Sequence, residues 1–422
     1  MLDLRFIREN PELVRQAIEE KGAGVDLDRL LDLDKQRREF IREADRMKGE
    51  RNRVSEEIAK LKKVGQNGSS MIAEMRKVSR EIKKLDEEIR EVESHIYDIQ
   101  IHIPNVLHPS VPLGPDPTYN EVVKEWGSIP QFDFDVKPHW EIGASLGILD
   151  FERGSRLSGP HFISFTGIGA QLERALINFM IDLHVERHGY TEVSVPFIVK
   201  REVMFGTGQL PKLEEDMYLV EKDDLFLIPT AEVPVTNLHR GEILDGDRLP
   251  LRYVAYTPCF RREAGSYGAD TRGLMRIHQF DKVEMVKFVQ PETSYDELDT
   301  LVQDAEEVLQ LLEIPYRVAV LATGDLSFAA TKCYDLEAYA PGIDKWLEVS
   351  SCSNFEDFQA RRMNIRFRKN KGAKAEFVHT LNGSGLALPR TVIAIIENFQ
   401  TDEGTVVVPE PLREYLDVSV IK

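Results

Sequence analysis

Residues 257 to 286 read TPCFRREAGSYGADTRGLMRIHQFDKVEMV, two strand-like pieces joined by a loop rich in glycine and charge. In the second piece, the two-residue period of a strand puts five unlike side chains on one face: Arg276, His278, Phe280, Lys282 and Glu284. The opposite face, from Ile277 to Met285, also mixes apolar and polar residues. Such faces make poor core. The piece is therefore either a solvated edge strand or the wall of a polar site, and the spacing alone leaves both interpretations open.

The composition around this stretch is that of a large globular chain. Its 422 residues are 42% hydrophobic and 30% charged, enough to bury a core across two or three domains. No apolar run approaches the roughly 20 residues of a membrane-spanning helix, and the start, MLDLRFIRENPELV, is unlike a signal peptide. We therefore expect a cytoplasmic protein with no membrane partner. Cys259, Cys333 and Cys352 lack the spacing of a zinc site or a disulfide framework and predict buried, reduced thiols.

A heptad pattern marks the N-terminal quarter of the chain. Apolar residues recur without a miss, in alternating steps of four and three, from Met71 to Ile96, and a less regular series with Arg37 and Arg51 on the seam runs from Leu33 to Leu61. The segment VGQNGSS, 64 to 70, breaks the helix and is too short for parallel partners. These features predict an antiparallel hairpin on the order of 50 Å long.

The pattern changes after residue 102, where five prolines fall between Pro104 and Pro117 and indicate a linker. Beyond it, an amphipathic helix over 168–188 precedes short β-rich stretches that alternate with helical ones. Glycine-rich turns between strand and helix are missing, which disfavours a parallel doubly wound sheet. We expect an α+β fold: a long antiparallel coiled-coil hairpin, then a domain built on an antiparallel β-sheet flanked by helices.

The motifs in the second half resemble a known family. FRREAG at 260–265, DTRG at 270–273 and the pattern RxHQFxKxE at 276–284 resemble motif two of class II aminoacyl-tRNA synthetases in its serine-specific form. The resemblance implies that Arg261 binds the α-phosphate and the amino-acid carboxylate, and that Glu263 binds the adenine end of ATP. It further implies that Arg276 contacts the γ-phosphate, that Phe280 stacks on adenine and that the main chain at Ile277 binds the base.

Two further segments fit the same family. NGSGLALPRTVIAIIENFQ, 382–400, is expected to be a glycine-bearing loop followed by a buried helix and resembles motif three, which assigns Arg390 to phosphate and adenine. GYTEVSVPFIV, 189–199, resembles motif one, which joins class II protomers as a homodimer with the preceding helix. EVSSCSNFEDFQARR, 348–362, resembles the family's ATP strand, with Glu348 as a Mg²⁺ ligand and Ser351 beside it. The catalytic residues implied are Arg261, Arg390 and Glu348.

The resemblance also assigns a serine site. Thr230 and Glu232 in IPTAEVP are expected to bind the α-ammonium, and Glu284 and Ser384 the hydroxyl. A site that hydrogen-bonds this hydroxyl rejects alanine, because its polar groups would be left unpaired. The full serine set implied is Thr230, Ala231, Glu232, Arg261, Glu284, Asn382 and Ser384. The full ATP set is Arg261, Arg262, Glu263, Arg276, Ile277, Phe280, Glu348, Val349, Ser350, Ser351 and Arg390.

The family's activity follows as an expectation: activation of L-serine with ATP and Mg²⁺, then transfer to tRNA(Ser) and to the selenocysteine tRNA, tRNA(Sec). The domains implied are a tRNA-binding domain over 1–103, a Pro-rich linker over 104–130 and a class II catalytic domain over 131–422. No zinc is expected, because the motifs are those of the ordinary form. Two rivals are a paralogue that loads a carrier protein and a coiled-coil protein with a dead catalytic domain; the long arm argues against the first and the retained motif residues against the second.

Charge is unevenly distributed in a way that suits RNA. The whole chain carries a net charge of -18, yet residues 35–84 hold 16 Lys and Arg against 8 Asp and Glu. A basic rod can bind the RNA backbone while the acidic remainder repels non-specific nucleic acid, although a solvated coiled-coil face would look similar. The predicted tRNA contacts lie near the hairpin tip: Lys62, Lys63, Arg76 and Lys77.

Overall fold

A computed structural model describes residues 1–264 and 272–422. The chain divides into an N-terminal unit, Leu2–Pro104, and a C-terminal unit, Asn105–Lys422 together with Met1. No helix in these described ranges is long and apolar enough to cross a membrane. The segment 104–130, predicted as a linker, belongs to the C-terminal unit from residue 105 onward and contains a strand, Glu121–Trp126. No proline lies between Pro117 and Pro130, so EVVKEW is free to form main-chain hydrogen bonds in a sheet.

The N-terminal unit is helical. Its helices are α1 (Leu4–Glu9), α2 (Pro11–Glu20), α3 (Leu27–Lys63) and α4 (Ser69–Gln100). Asp26 caps α3 by accepting a hydrogen bond from the main-chain N–H of Arg29 at 2.9 Å. The 37 residues of α3 extend about 55 Å at ~1.5 Å per residue.

The predicted antiparallel hairpin is confirmed, because α3 and α4 pack along their heptad seams. Ala44 and Val54 of α3 and Ile82 and Val92 of α4 are buried between the helices. Arg37, on the irregular seam, forms an ion pair with Glu93 across the hairpin at 2.8 Å. The charged end of this side chain thus reaches the edge of the seam, which explains how an arginine is accommodated there.

The C-terminal unit has a mixed architecture. Its helices are α5 (His139–Ser145), α6 (Phe151–Ser158), α7 (Ile168–Glu186), α8 (Arg201–Thr207), α9 (Glu232–Thr236), α10 (Ser294–Leu311), α11 (Phe358–Met363), α12 (Leu388–Asn398) and α13 (Arg413–Leu416). Short 3₁₀ helices span Pro117–Tyr119, Glu214–Asp216, Asn237–His239, Gly246–Arg248, Pro291–Thr293 and Glu410–Leu412.

The strands are β1 (Glu121–Trp126), β2 (Leu149–Asp150), β3 (Ser164–Phe165), β4 (Thr191–Glu192), β5 (Ile198–Lys200), β6 (Leu219–Val220), β7 (Leu225–Leu227), β8 (Ile243–Asp245), β9 (Leu251–Phe260), β10 (Gln279–Val289), β11 (Tyr316–Val320), β12 (Lys332–Ala340), β13 (Lys345–Asn354), β14 (Arg366–Arg368), β15 (Glu376–Phe377), β16 (His379–Ala387), β17 (Val406–Val407) and β18 (Val420–Ile421). Within the described ranges, eight of them form one sheet in the order β1-β11-β12-β13-β16-β10-β9-β4. All its pairs are antiparallel except β4 with β9, which confirms the predicted sheet type.

The position of β10 decides between the two interpretations of its polar face. It lies in the interior of the sheet, between β16 and β9, so it is not a solvated edge strand. Opposite Glu284 in the register is Ser384, and a bulge falls between Val283 and Glu284. Val283 and Met285 enter the main core, whereas Lys282 and Glu284 are buried on the other face. This face lines a polar site.

The expected glycine loop at NGSG is wrong, because these residues belong to strand β16. Its glycines face the helices behind the sheet, where there is no room for a side chain. A Cβ on Gly383 would lie 2.7 Å from Cys352 Sγ, and one on Gly385 would lie 2.7 Å from His184 Nε2. The glycines therefore permit close packing rather than a turn.

Three helices close the back of the sheet. Leu176 of α7, Leu301 of α10 and Ile393 of α12 are fully buried in one hydrophobic cluster with strand residues such as Met285 and Leu336. The opposite face carries the polar side chains of β10, β13 and β16. The apolar helices thus hold a rigid sheet whose front remains available for chemistry.

Candidate active site

A cavity of about 570 Å³ opens on the front of the sheet. Its wall combines β10, β13 and β16 with the start of α12 and the segments that flank β9. Of the predicted serine and ATP residues, those lining the cavity are Thr230, Glu232, Arg261, Glu263, Arg276, Ile277, Phe280, Glu348, Val349, Ser351, Asn382, Ser384 and Arg390. Residues 265–271, which include Gly265, Asp270 and Thr271 of motif two, lie outside the described ranges.

A buried carboxylate is held by residues that line one end of the cavity. Glu284 is fully buried and accepts hydrogen bonds from Asn382 Nδ2 at 2.7 Å and from Ser384 Oγ at 3.3 Å. Lys282 Nζ lies 2.5 Å from its second oxygen. A buried charge requires such partners, because removal from water is otherwise costly. Cross-strand pairing of β10 with β16 brings these residues together although about a hundred positions separate them in sequence.

A second carboxylate, Glu232, lies in the same wall. Gln359 Nε2 donates to it at 2.7 Å and Gln209 Nε2 at 3.4 Å, while Thr230 Oγ1 accepts a hydrogen bond from its main-chain N–H at 3.2 Å. Burial, reinforced by the negative charge of Glu284, raises the pKa of Glu232 to about 7. Its charge is therefore incompletely satisfied by the protein, and a cation in the cavity would restore it.

Arginines line the other part of the cavity. Arg261 lies over the Phe280 ring, 5.3 Å from guanidinium carbon to ring centroid, and its Nε donates to the Pro229 carbonyl at 3.3 Å. Arg276 forms an ion pair with Glu263 at 2.8 Å. An aromatic ring with one arginine over it and a second arginine in the same cavity suit the planar base and the anionic groups of a nucleotide.

Arg390, in the first turn of α12, contacts Glu348 of β13. Its NH1 donates to the Glu348 carbonyl at 2.7 Å and lies 3.2 Å from the carboxylate. Burial is the largest single influence on Glu348 and opposes its ionisation, but the neighbouring positive charges together outweigh it. The charges of Arg390 and Arg261 therefore hold the pKa of Glu348 below its usual range.

Oxygen ligands for a hard cation lie along β13. Glu348 is ionised, and the Ser351 hydroxyl donates to Asp335 of the neighbouring strand β12. Carboxylate and hydroxyl oxygens are the donors that Mg²⁺ prefers, usually completed by phosphate oxygens and water. Residues 1–264 and 272–422 contain no group of three or more His, Cys, Asp or Glu that could hold a metal ion. Glu348 and Ser351 would leave the remaining coordination positions of a Mg²⁺ ion to phosphate oxygens and water.

Four predicted residues are not among those that line the cavity: Glu284, described above, and Ala231, Ser350 and Arg262. Ala231 is fully buried at the start of α9. Ser350 donates to the Ser384 carbonyl at 2.7 Å, from β13 to β16. Arg262 donates from Nε to the Met217 carbonyl at 3.1 Å and stacks over Tyr218 at 4.6 Å. In this structure, Ser350 and Arg262 hold the wall of the site rather than line it.

The sequence predictions missed three residues. Lys282 was visible in the alternation between Phe280 and Glu284, although it was left out of the predicted sites. Gln359 and Gln209, which hold Glu232, gave no signal, because they lie on separate segments that only the fold brings together.

The four predicted tRNA contacts belong to the N-terminal unit and are not among the residues that line the cavity. Lys62, Lys63, Arg76 and Lys77 are exposed on either side of the turn between α3 and α4. Four cations at the closed end of a hairpin can contact an RNA backbone without rearrangement of the helices.

Comparison with known proteins covers both units. Residues 1–107 match the family model of the seryl-tRNA synthetase N-terminal domain, and residues 217–399 match that of the tRNA synthetase class II core domain (G, H, P, S and T). The chain is 58% identical over 422 residues to the serine–tRNA ligase of Caldanaerobacter subterraneus subsp. tengcongensis, covering 100% of this chain and 99% of that one. The corresponding protein of Geotalea uraniireducens is 58% identical over 416 residues, 99% of this chain and 98% of that one.

Solved structures give the same result. Seryl-tRNA synthetase from Pyrococcus horikoshii, complexed with ATP, superposes with a TM-score of 0.96 at 39% identity over 100% of this chain and 99% of that one. The cytoplasmic serine–tRNA ligase of Naegleria fowleri, in complex with AMP, has a TM-score of 0.90 at 30% identity, with the same coverage of both chains. The sequence match, the shared fold and the buried Glu284 cluster agree: the chain belongs to the seryl-tRNA synthetase family of class II aminoacyl-tRNA synthetases.

Proposed function

We propose that the protein activates L-serine with MgATP to seryl-adenylate and transfers the serine to tRNA(Ser), and to tRNA(Sec). The observation that carries the proposal is the Glu284 cluster: a buried carboxylate held by Asn382, Ser384 and Lys282, which line the same cavity as the arginines. Serine activation requires a hydrogen-bond acceptor for the serine hydroxyl and, near it, positive groups for the phosphates of ATP. The Glu284 cluster and the arginines supply these two.

The first step joins two anions. A serine carboxylate oxygen attacks the α-phosphorus of ATP, the bond from that phosphorus to the oxygen bridging to the β-phosphate breaks, and pyrophosphate leaves. Because the nucleophile is already charged, no general base is needed. Arg261 and Arg390 would neutralise the charge that develops at the α-phosphate, a role for which the fork of a guanidinium is suited. Arg276 would hold the outer phosphates.

The polar groups of the Glu284 cluster and of its neighbour Glu232 would select the amino acid. Glu284 and Ser384 would bind the hydroxyl, and Thr230 with Glu232 the α-ammonium. The pKa of about 7 for Glu232 supports this role, because a carboxylate short of positive partners gains most from a bound ammonium. Alanine would leave Glu284 with an unpaired oxygen, and the methyl group of threonine would meet the β10 and β16 wall.

Mg²⁺, when bound, supplies positive charge and geometry at the phosphate oxygens. Glu348 would hold it, with Ser351 beside it. Arg390 keeps Glu348 ionised and so keeps it competent as a ligand. We place no zinc in this mechanism.

In the second step a ribose hydroxyl at the tRNA terminus attacks the activated carbonyl, and AMP leaves. The basic hairpin, with Lys62, Lys63, Arg76 and Lys77 exposed near its turn, supports tRNA as the partner that brings this hydroxyl. The hairpin would recognise the shape of the tRNA more than its sequence, as is usual for folded RNA. We further propose that two copies act as a homodimer in the cytoplasm.

Serine-dependent exchange between ATP and pyrophosphate, measured without tRNA, tests the first step. We expect exchange with serine, and rates lower by about 10⁴-fold with alanine because of the unpaired hydroxyl-binding groups. Equal exchange with alanine would overturn the assignment. Arg261→Ala should reduce kcat/KM by an amount equivalent to about 3 kcal/mol, the usual cost of losing one preorganised charged donor. A near-normal R261A enzyme would assign the α-phosphate to another residue.

A further inference from the structure

A buried histidine–glutamate hydrogen bond lies outside the cavity wall. His139 of α5 and Glu397 of α12 are both fully buried, with His139 Nδ1 2.7 Å from Glu397 Oε1. The same carboxylate oxygen accepts the main-chain N–H of His139 at 2.9 Å, and its other oxygen accepts that of Gly342 at 2.8 Å. Neither residue is in the predicted serine or ATP set, so the motif resemblance assigns no role to this pair.

The far side of the imidazole contacts motif two. The main-chain N–H of Leu274 lies 3.1 Å from His139 Nε2. A main-chain N–H can only donate, so Nε2 must accept and the ring proton must lie on Nδ1, facing Glu397. The carboxylate thus fixes both the tautomer and the orientation of the ring, and the ring holds Leu274.

The approach of the chain to this ring is close. Gly273 has a φ of +73°, and a Cβ there would lie 2.1 Å from His139 Nε2. The preceding residue, Arg272, lies over the indole of Trp140 with 4.6 Å from its guanidinium carbon to the ring centroid. The neighbouring residues His139 and Trp140 of α5 therefore contact the stretch 272–274, shortly before β10 begins.

The next residues line the cavity. Met275, Arg276 and Ile277 all belong to its wall. At the other end of this short stretch, the main-chain N–H of His278 donates to the His161 carbonyl at 2.9 Å. The ATP-contacting stretch is therefore fixed at both ends, at Leu274 by a side chain and at His278 by the main chain.

The pair also connects two motifs. Glu397 lies on α12, two turns after Arg390, and that arginine contacts Glu348 in the cavity. A fixed distance between Leu274 and α12 sets the separation of Arg276 from Arg390, which are assigned to the same triphosphate. The serine groups are held differently, by the pairing of β10 with β16.

We propose that His139 is a positioning residue for ATP: oriented by Glu397, it fixes the 274–277 stretch of motif two against the motif-three helix. The inference rests on the proposed function, because it takes Arg276 and Ile277 as ATP contacts. ATP binding would thus depend on His139, although this residue lies outside the cavity. Serine binding would not depend on His139.

Two substitutions test the roles of the two ring nitrogen atoms separately, because each one keeps a polar atom at the place of only one nitrogen. In His139→Asn the amide nitrogen occupies the place of Nδ1 and keeps the donor to Glu397, but the acceptor for Leu274 is lost. In His139→Gln the amide oxygen reaches the place of Nε2 and keeps that acceptor. We expect H139N to raise KM for ATP by roughly fivefold to tenfold, the effect of one lost hydrogen bond, with KM for serine unchanged. H139Q should raise KM for ATP less than H139N does.

Exchange kinetics and thermal unfolding, measured on the full chain, decide the question. If H139N and H139Q raise KM for ATP equally, or if KM for serine rises in parallel, His139 is a structural residue only and the proposal is wrong. If H139N yields no folded protein, Glu397→Leu provides the test, because it removes both acceptor oxygens and frees the ring to turn; an unchanged KM for ATP there would also overturn the proposal. A wild-type chain without serine-dependent exchange would instead refute the proposed function.

Discussion

Glu232 is the residue whose ionisation links the site to pH. Its pKa of about 7 arises from burial and from the neighbouring Glu284, and it lies well above the usual value for a glutamate. Above pH 7 the carboxylate is ionised and can bind the α-ammonium of serine. Below pH 7 it is protonated, and the attraction is lost.

KM for serine should therefore rise as the pH falls from 8 to 5.5, by up to about tenfold for each unit below the pKa. Exchange rates at saturating ATP over this range measure the effect. Glu232→Gln is the matched control, because it keeps the shape of the side chain but does not titrate; it should have a high KM that depends little on pH. A slope in E232Q equal to that of the wild type would assign the titration to another group.

Individual site residues could be predicted only where a motif contained them. The alternation in β10 indicated that Lys282 and Glu284 share a face, but it could not indicate that Ser384 lies opposite, because register depends on the whole sheet. Gln359, on the six-residue helix α11, has no pattern around it that points to Glu232.

Among elements, the α3–α4 hairpin makes the clearest prediction. Deleting residues 35–98 and joining the ends by a short linker should leave serine-dependent exchange nearly intact but abolish tRNA charging at ordinary tRNA concentrations. The reason is that the cavity lies entirely in the C-terminal unit, whereas the exposed basic groups lie on the hairpin. An arm-less protein that charged tRNA normally would favour a coiled-coil interaction role for the hairpin.

Charge reversal refines this test without removing the element. Reversal of Lys62, Lys63, Arg76 and Lys77 to glutamate should weaken tRNA binding and flatten its salt dependence by about one unit of slope per lost phosphate contact. Four exposed lysines of the C-terminal unit serve as a control for net charge: Lys200, Lys222, Lys371 and Lys374. Equal losses in both variants would mean that only overall charge matters.

Elements differed in how well the sequence predicted them. The hairpin followed from its seam, because a period of 3.5 residues over many turns has few structural alternatives. Strand β16 was missed, because glycine usually marks a turn, whereas Gly383 and Gly385 are set by close packing against Cys352 and His184. Strand β1 was hidden by the prolines before it.

At the scale of the whole molecule we expect a two-fold symmetric homodimer joined through residues 168–199. In the isolated chain this region exposes large apolar side chains, namely Val185, Phe197 and Ile198. Burial of such groups by a second copy would be favourable. Light scattering at micromolar concentration should give twice the 48.2 kDa of one chain. Ile198→Asp should shift the mass toward the monomer, and a monomeric wild type would contradict the prediction.

The bulge between Val283 and Glu284 limits how this sequence can evolve. Because neighbouring residues of a strand face opposite sides, one residue gained or lost in β10 would put Val283 or Met285 on the face of the sheet that Glu284 now occupies. Single replacements in β10 and β16 leave every other side chain on its own side of the sheet. Proteins that evolve from this chain can therefore change the residue types in these strands but not the number of residues.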